Sequence, residues 1–127
     1  MLVVTRFSID DADADAFADR AQVALAALAV RPGYRAGRIA RAVDDASSWL
    51  VTTEWDDMGS YRRSLSAFDV KMAATPLLAQ AIGEPSAYEV LYDDGPGQAR
   101  AIMVSDRARD ADTARVGETL AMGRETD

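Results

Sequence analysis

The stretch Trp49-Leu50-Val51-Thr52-Thr53-Glu54-Trp55-Asp56-Asp57-Met58-Gly59-Ser60-Tyr61 decides the fold. It reads as a strand ending on a tryptophan, a turn through two aspartates, and the start of a helix. Strand alternation places Trp49, Val51, Thr53 and Trp55 on one face. Beyond Asp57, a good N-cap, apolar residues recur at Met58, Tyr61, Leu65, Phe68 and Met72, in steps of three and four, as one stripe of an amphipathic helix. With both faces turned inward, Trp55 and Tyr61 meet in one cleft, where any chemistry of the chain is expected.

Outward from this stretch the same reading continues in both directions. Leu2 to Ile9 is a strand, with Val3, Thr5, Phe7 and Ile9 on one face and Leu2, Val4, Arg6 and Ser8 on the other. Asp10 to Asp15 places carboxylates at a helix N-terminus. The helix runs to about Val30 on a stripe of Phe17, Ala21, Ala24, Leu25 and Leu28, and Arg31-Pro32-Gly33 stops it. Tyr34 to Val43 is a second strand, joined by Asp44-Asp45-Ala46-Ser47-Ser48 to the strand at Trp49 as a hairpin. The second helix is expected to break near Ala67 to Asp69 or at Thr75-Pro76, with a short helical piece from Pro76 to Ile82. After the loop Gly83-Glu84-Pro85, Ser86 to Asp93 reads as a fourth strand.

Strand, helix, strand, strand, helix, strand is the split βαβ pattern of the ferredoxin-like α+β class, with a four-stranded antiparallel sheet and helices on one face. The other face carries Leu2, Val4 and Leu50 with no helix left to cover them, so two sheets are expected to pack face to face in a homodimer. Asp94-Gly95-Pro96-Gly97 closes a domain of residues 1–97. Residues 98–127 have only weak periodicity. A helix over 106–116, an edge strand over 101–104 and docking on the domain or a partner subunit are the alternatives to a mobile tail.

Composition narrows the function. The 127 residues hold 14 basic and 21 acidic side chains, a net charge of −7, which repels phosphate backbones and argues against nucleic acid. No apolar run approaches the roughly 20 residues that span a bilayer, and no signal segment is visible, so a cytoplasmic location and no membrane partner are expected. Cysteine and histidine are both absent. That removes thiol catalysis, disulfides, the commonest general base, and most transition-metal and haem ligation; no metal site is expected. The repeat Asp11-Ala12-Asp13-Ala14-Asp15 lacks the glycine and terminal glutamate of a calcium loop and reads as helix capping.

Several segments together resemble the antibiotic biosynthesis monooxygenase family of dimeric α+β barrels. They are Val3-Val4-Thr5-Arg6-Phe7, Arg31-Pro32-Gly33-Tyr34, Thr53-Glu54-Trp55, and Tyr61 to Pro76 leading to Glu84-Pro85-Ser86-Ala87-Tyr88-Glu89. In cofactor-free members that oxidise polycyclic aromatic polyketides, a cleft is lined by an Asn four residues before a Trp and a Tyr six residues after it. The Trp falls on Trp55 and the Tyr on Tyr61; the Asn position holds Val51. The haem-degrading branch requires a histidine that this chain lacks, and its first-strand Asn falls near Thr5. The resemblance implies a cofactor-independent monooxygenase acting on a small aromatic or polyketide-like molecule with O₂. Trp55 and Tyr61 would be catalytic, and Thr5, Trp49, Val51, Leu65 and Phe68 would line the substrate site. Arg38 or Arg41 is a candidate for holding an oxyanion, whereas alternation sends Arg6 away from a cleft that Thr5 faces.

Two other readings stand beside this one. A dimeric barrel could hold an apolar small molecule without turning it over, which the aliphatic Val51 favours. Alternatively the cleft is collapsed around Trp49, Trp55 and Phe68 in a structural protein. An open cavity reached by Trp55 and Tyr61 separates the first two from the third.

Overall fold

The computed structural model describes residues 1–96. The expectations for residues 98–127 lie outside them. Contacts divide the chain into one unit, Met1–Tyr88, and a second from Glu89 onward.

The first unit is the expected α+β arrangement. Strand β1 (Leu2–Ser8) leads through a 3₁₀ turn (Asp11–Asp13) into helix α1 (Ala14–Ala29). Strands β2 (Tyr34–Arg41) and β3 (Ser48–Trp55) form the hairpin. Three short helices follow, α2 (Met58–Ser64), α3 (Phe68–Ala73) and α4 (Thr75–Leu78), before β4 (Ala87–Tyr88). The sheet order is β2-β3-β1-β4, antiparallel throughout, which is the ferredoxin-like order.

Burial follows the alternation that the sequence carries. Val3, Thr5 and Phe7 of β1 and Trp49, Val51, Thr53 and Trp55 of β3 are buried under Phe17, Ala21, Ala24 and Leu28 of α1. The register sets Thr5 opposite Val51 and Phe7 opposite Trp49. Leu2, Val4 and Leu50 on the opposite face are half-buried. At the hairpin, Asp45 Oδ1 accepts from both the backbone N–H (3.0 Å) and the hydroxyl (2.7 Å) of Ser47. Such an aspartate turn fixes the chain reversal locally. The carboxylates of Asp10 and Asp13 make no side-chain capping bond at α1; their contribution there is to the helix dipole.

Two expectations are corrected. The apolar stripe of the second helix does not run on past Leu65. Ala67 is extended (φ −70°, ψ 140°), the helix restarts at Phe68, and the new rotation turns Val70 inward, followed by Ala74 and Leu77. Phe68 is left 73% exposed and Met72 63%. The fourth strand is two residues long rather than eight. Tyr88 already pairs with Leu2, the first residue of the antiparallel β1, so the ladder ends there, and β1 beyond Val3 is met by separate bonds from the preceding segment.

Candidate functional site

The site is built from the start of α2. Asp57 caps the helix, its Oδ1 accepting from Ser60 N–H at 2.8 Å. This bond, and then the Ser60 side chain, lower the Asp57 pKa. Gly33 sits at φ 90°, where only glycine is unstrained, and a Cβ there would collide with Ser60. Gly33 C=O in turn accepts from Asp56 N–H at 2.8 Å. The turn after α1 and the first turn of α2 are thereby locked together, which fixes where the next residue, Tyr61, projects.

Tyr61 leans on Trp55, ring centroids 5.6 Å apart at 55°, and Tyr34 meets the same indole edge-on at 5.3 Å. Trp55 itself is fully buried, and its indole N–H donates to Thr53 Oγ1 at 2.8 Å. It is the wall behind Tyr61, and its donor is already used. The Tyr61 hydroxyl has no hydrogen-bond partner among the described residues, and burial pushes its pKa up. It is therefore a neutral donor at physiological pH, not a base.

A cleft of about 250 Å³ opens beside Tyr61. Its inner side is the uncovered edge of β1: Val4, Thr5 and Arg6. Its outer side is the segment after α4, with Leu78, Ala81 and Ile82 followed by Gly83, Glu84 and Ser86. That segment is pinned at both ends, by Ile82 N–H to Arg6 C=O (2.8 Å) and by Val4 N–H to Ser86 C=O (2.7 Å). Between the pins, Arg6 and Glu84 form an ion pair at 2.9 Å. The Thr5 side chain is a second hydroxyl without a protein partner among the described residues, on a residue only 8% exposed.

Of the residues anticipated for the site, the structure brings Tyr61 and Thr5 into this cleft, with Trp55 directly behind. Val51 packs in the core, and Leu65 is half-buried against it. Trp49 lies six residues along β3 from Trp55, about 20 Å away, at the other end of the same core, against Phe17 at 5.4 Å; its Nε1 is buried without a partner among the described residues. Phe68 faces outward, because the helix restart rotates it off the stripe. Neither candidate arginine of the second strand reaches the cleft: Arg38 pairs with Glu54, and Arg41 lies 5.2 Å over the Trp49 ring.

Arg6 and the 78–86 segment escaped sequence reasoning. Alternation does send Arg6 to the other face, but the cleft runs along the strand edge and takes residues from both faces. The Gly83-Glu84-Pro85 loop was the available signal that the edge would not be covered by a regular strand. Among the described residues, no group of three His, Cys, Asp or Glu side chains could hold a metal ion, and no helix is long and apolar enough to cross a membrane.

The antibiotic biosynthesis monooxygenase family model matches residues 1–75, and the chain belongs to that family. The match includes Thr5, Arg6 and Tyr61 and ends before the 78–86 wall. A cofactor-independent oxygenase from Streptomyces nogalater, SnoaB, is similar at 27% identity over 64% of this chain and 82% of its own, with TM-score 0.55. A putative antibiotic biosynthesis monooxygenase from Nitrosomonas europaea shares the fold at 15% identity over 72% and 98%, TM-score 0.57. A conserved protein from Methanosarcina mazei Go1 does so at 15% over 68% and 84%, TM-score 0.56. No curated protein matches the sequence significantly.

Proposed function

We propose that the chain is a cofactor-independent monooxygenase of small aromatic or polyketide-like molecules, working as a cytoplasmic homodimer, with its reaction in the β1-edge cleft. The observation that carries this reading is Tyr61: a neutral phenol lining a cleft beside the Thr5 hydroxyl, both without a hydrogen-bond partner among the described residues. The likeness to SnoaB, described as a cofactor-independent oxygenase, supports it.

An anthrone-type substrate supplies all the electrons. Loss of a proton from its CH₂ carbon gives an enolate, whose oxygen Tyr61 and Thr5 stabilise as preorganised donors. The enolate passes an electron to O₂, and the radical pair joins in a C–O bond. Protonation gives a hydroperoxide, which loses water to leave a ketone, so R₂CH₂ + O₂ becomes R₂C=O + H₂O with no external reductant. The carbon acid exchanges its proton with solvent, so the chain's part is to bind the ring and hold the anion. The homodimer rests on Leu2, Val4 and Leu50, apolar residues on a sheet face that none of the described helices covers.

The test is O₂ uptake with anthrone by the full chain, with anthraquinone as product. Wild type is expected to turn over, and Tyr61→Phe to lose roughly a hundredfold of the rate, as for removal of one anion-stabilising donor. Equal rates in both would remove Tyr61 from the chemistry.

A second reading, a barrel that binds the same ligand unchanged, is favoured by one observation. Val51 is aliphatic and buried, and the Trp55 N–H is held by Thr53, so the cleft has fewer donors than the family resemblance implies. Recovery of bound anthrone unaltered after aerobic incubation, above the buffer control, would select that reading.

A further inference from the structure

A line of three aromatic rings leads out of the cleft. Tyr61 lines the cleft, and the fully buried Trp55 stands behind it at 5.6 Å between ring centroids. Tyr34 follows at 5.3 Å, edge-on to the same indole. The sheet order β2-β3-β1-β4 gives the line a direction. The cleft runs along β1, Trp55 ends β3, and Tyr34 opens the edge strand β2. All three rings lie in or against the core on the helix-covered side of the sheet, so none belongs to the face that carries Leu2, Val4 and Leu50.

The far end of the line has a seat made for it. Tyr34 is set opposite Trp55 across β2 and β3. Three residues on, Gly37 stands in the interior of β2, where a Cβ would collide with the Tyr34 hydroxyl. Glycine weakens a strand interior and marks a close approach; here the space it leaves is filled by the phenol. Tyrosine and tryptophan give up one electron more readily than other aromatic side chains, and the chain has no cysteine to be oxidised in their place. Rings in contact exchange an electron faster than small molecules diffuse to them.

Resting on the monooxygenase reading above, we propose that Tyr61, Trp55 and Tyr34 form a relay that carries an oxidising equivalent from the cleft to the β2 edge. The reaction passes through a radical pair. A substrate radical that escapes its superoxide partner adds O₂ to give a peroxyl radical, R₂CHOO•. Tyr61 gives this radical a hydrogen atom: the phenol O–H bond breaks, and R₂CHOOH and the Tyr61 phenoxyl radical form. Trp55 passes one electron to that phenoxyl, which takes a proton from cleft water, and the indole is left as a radical cation. Its N–H donates to Thr53 Oγ1 at 2.8 Å, and a hydroxyl is too weak a base to keep the proton. The electron vacancy therefore moves on. Tyr34 fills it and releases its phenolic proton to solvent from its half-buried place on the edge strand. In sum, R₂CHOO• and the Tyr34 phenol become R₂CHOOH and the Tyr34 phenoxyl, one proton being taken up at Tyr61 and one released at Tyr34. The hydroperoxide loses water to the ketone as before, and a soluble reductant such as ascorbate restores Tyr34.

The test is anaerobic flash photolysis of the full-length protein with anthraquinone-2-sulfonate in the cleft. The excited quinone takes a hydrogen atom from Tyr61, giving a semiquinone and a tyrosyl radical without any turnover. In wild type, the phase independent of protein concentration should show an indole radical giving way to a tyrosyl radical, followed by slow recombination with the semiquinone. Tyr34→Phe keeps the ring and should lose the slow recombination, the pair collapsing from Trp55. Trp55→Phe should lose both the indole signal and the slow recombination. Tyr88→Phe, which removes an exposed tyrosine outside the line, should change neither. With the quinone bound, slow recombination that survives in Tyr34→Phe, or no tyrosyl radical at all, overturns the relay and leaves the monooxygenase reading standing; rings packed only for stability give that result. Failure of the quinone to bind wild type removes the cleft reading and the relay with it.

Discussion

The indole N–H of Trp55 donates to Thr53 Oγ1, two residues back on the same strand face, at 2.8 Å. That bond takes the most obvious donor of the region out of contact with any ligand and makes the indole a fixed wall. Tyr61 leans on this wall, so the orientation of the phenol depends on a threonine that never reaches the cleft.

Thr53→Val removes the acceptor while keeping the shape. A buried N–H is left unpaired, at about 1–3 kcal/mol. Urea denaturation should show a lower midpoint for Thr53→Val and near-complete recovery in Thr53→Ser. A midpoint unchanged in Thr53→Val would mean that the indole finds another partner.

Gly33 combines a left-handed backbone with close approach to Ser60. Gly33→Ala should therefore destabilise by more than the roughly 1 kcal/mol expected of φ strain alone. Ser60→Gly in the same chain should return the steric part and leave the strain. Denaturant midpoints of the two variants separate the contributions.

Asp57 has a lowered folded-state pKa, from the usual 3.8, because its carboxylate accepts the Ser60 backbone N–H. A depressed pKa contributes stability that is present above the unfolded value and lost as pH falls through the folded one. The window is thus acidic, below about 4. Asp57→Asn keeps the cap but cannot titrate, so its stability should decline less between pH 5 and pH 2 than wild type. Asp57→Ala should cost about 1 kcal/mol at neutral pH. Thermal melts across that range check both.

Leu50 lies on the face that none of the described helices covers, between Arg6 and Ala40 across the neighbouring strands. If that face is the dimer interface, Leu50→Asn removes two leucines from each dimer. The dissociation constant should then rise by about a hundredfold, read as a fall in mass by light scattering at low micromolar concentration. Wild type running as a monomer there would contradict the barrel.

The elements that proved legible were those whose signal is local. Trp49 to Trp55 alternates, and burial alternates with it; Asp57 has the spacing of an N-cap and caps. The stripe past Leu65 misled because periodicity carries no record of a break in phase. One extended residue, Ala67, resets the helix, and Phe68 and Met72 then face outward although their spacing is unchanged. The fourth strand failed for a related reason, since β-propensity in Ser86 to Asp93 does not report whether a partner edge is within reach. The cleft had no local signal at all. It exists because residues 78–86 return to β1 more than seventy positions away, pinned by Ile82 and Ser86 backbone bonds that any sequence could make. Tyr61 and Thr5 were reached from the sequence because they also lie on predictable faces, and Arg6 was not because an edge belongs to neither face.

The proposed reaction site puts ligand at the open edge of β1 beside Tyr61, not along the Trp49–Trp55 strand face. Amide chemical-shift mapping of the full-length protein, titrated with 2-naphthoate, tests it most directly. Perturbations are expected to be confined to Val4–Arg6, Tyr61 and residues 78–86. Perturbations centred on Trp49, Phe7 and Phe17, with the β1 edge silent, would contradict it.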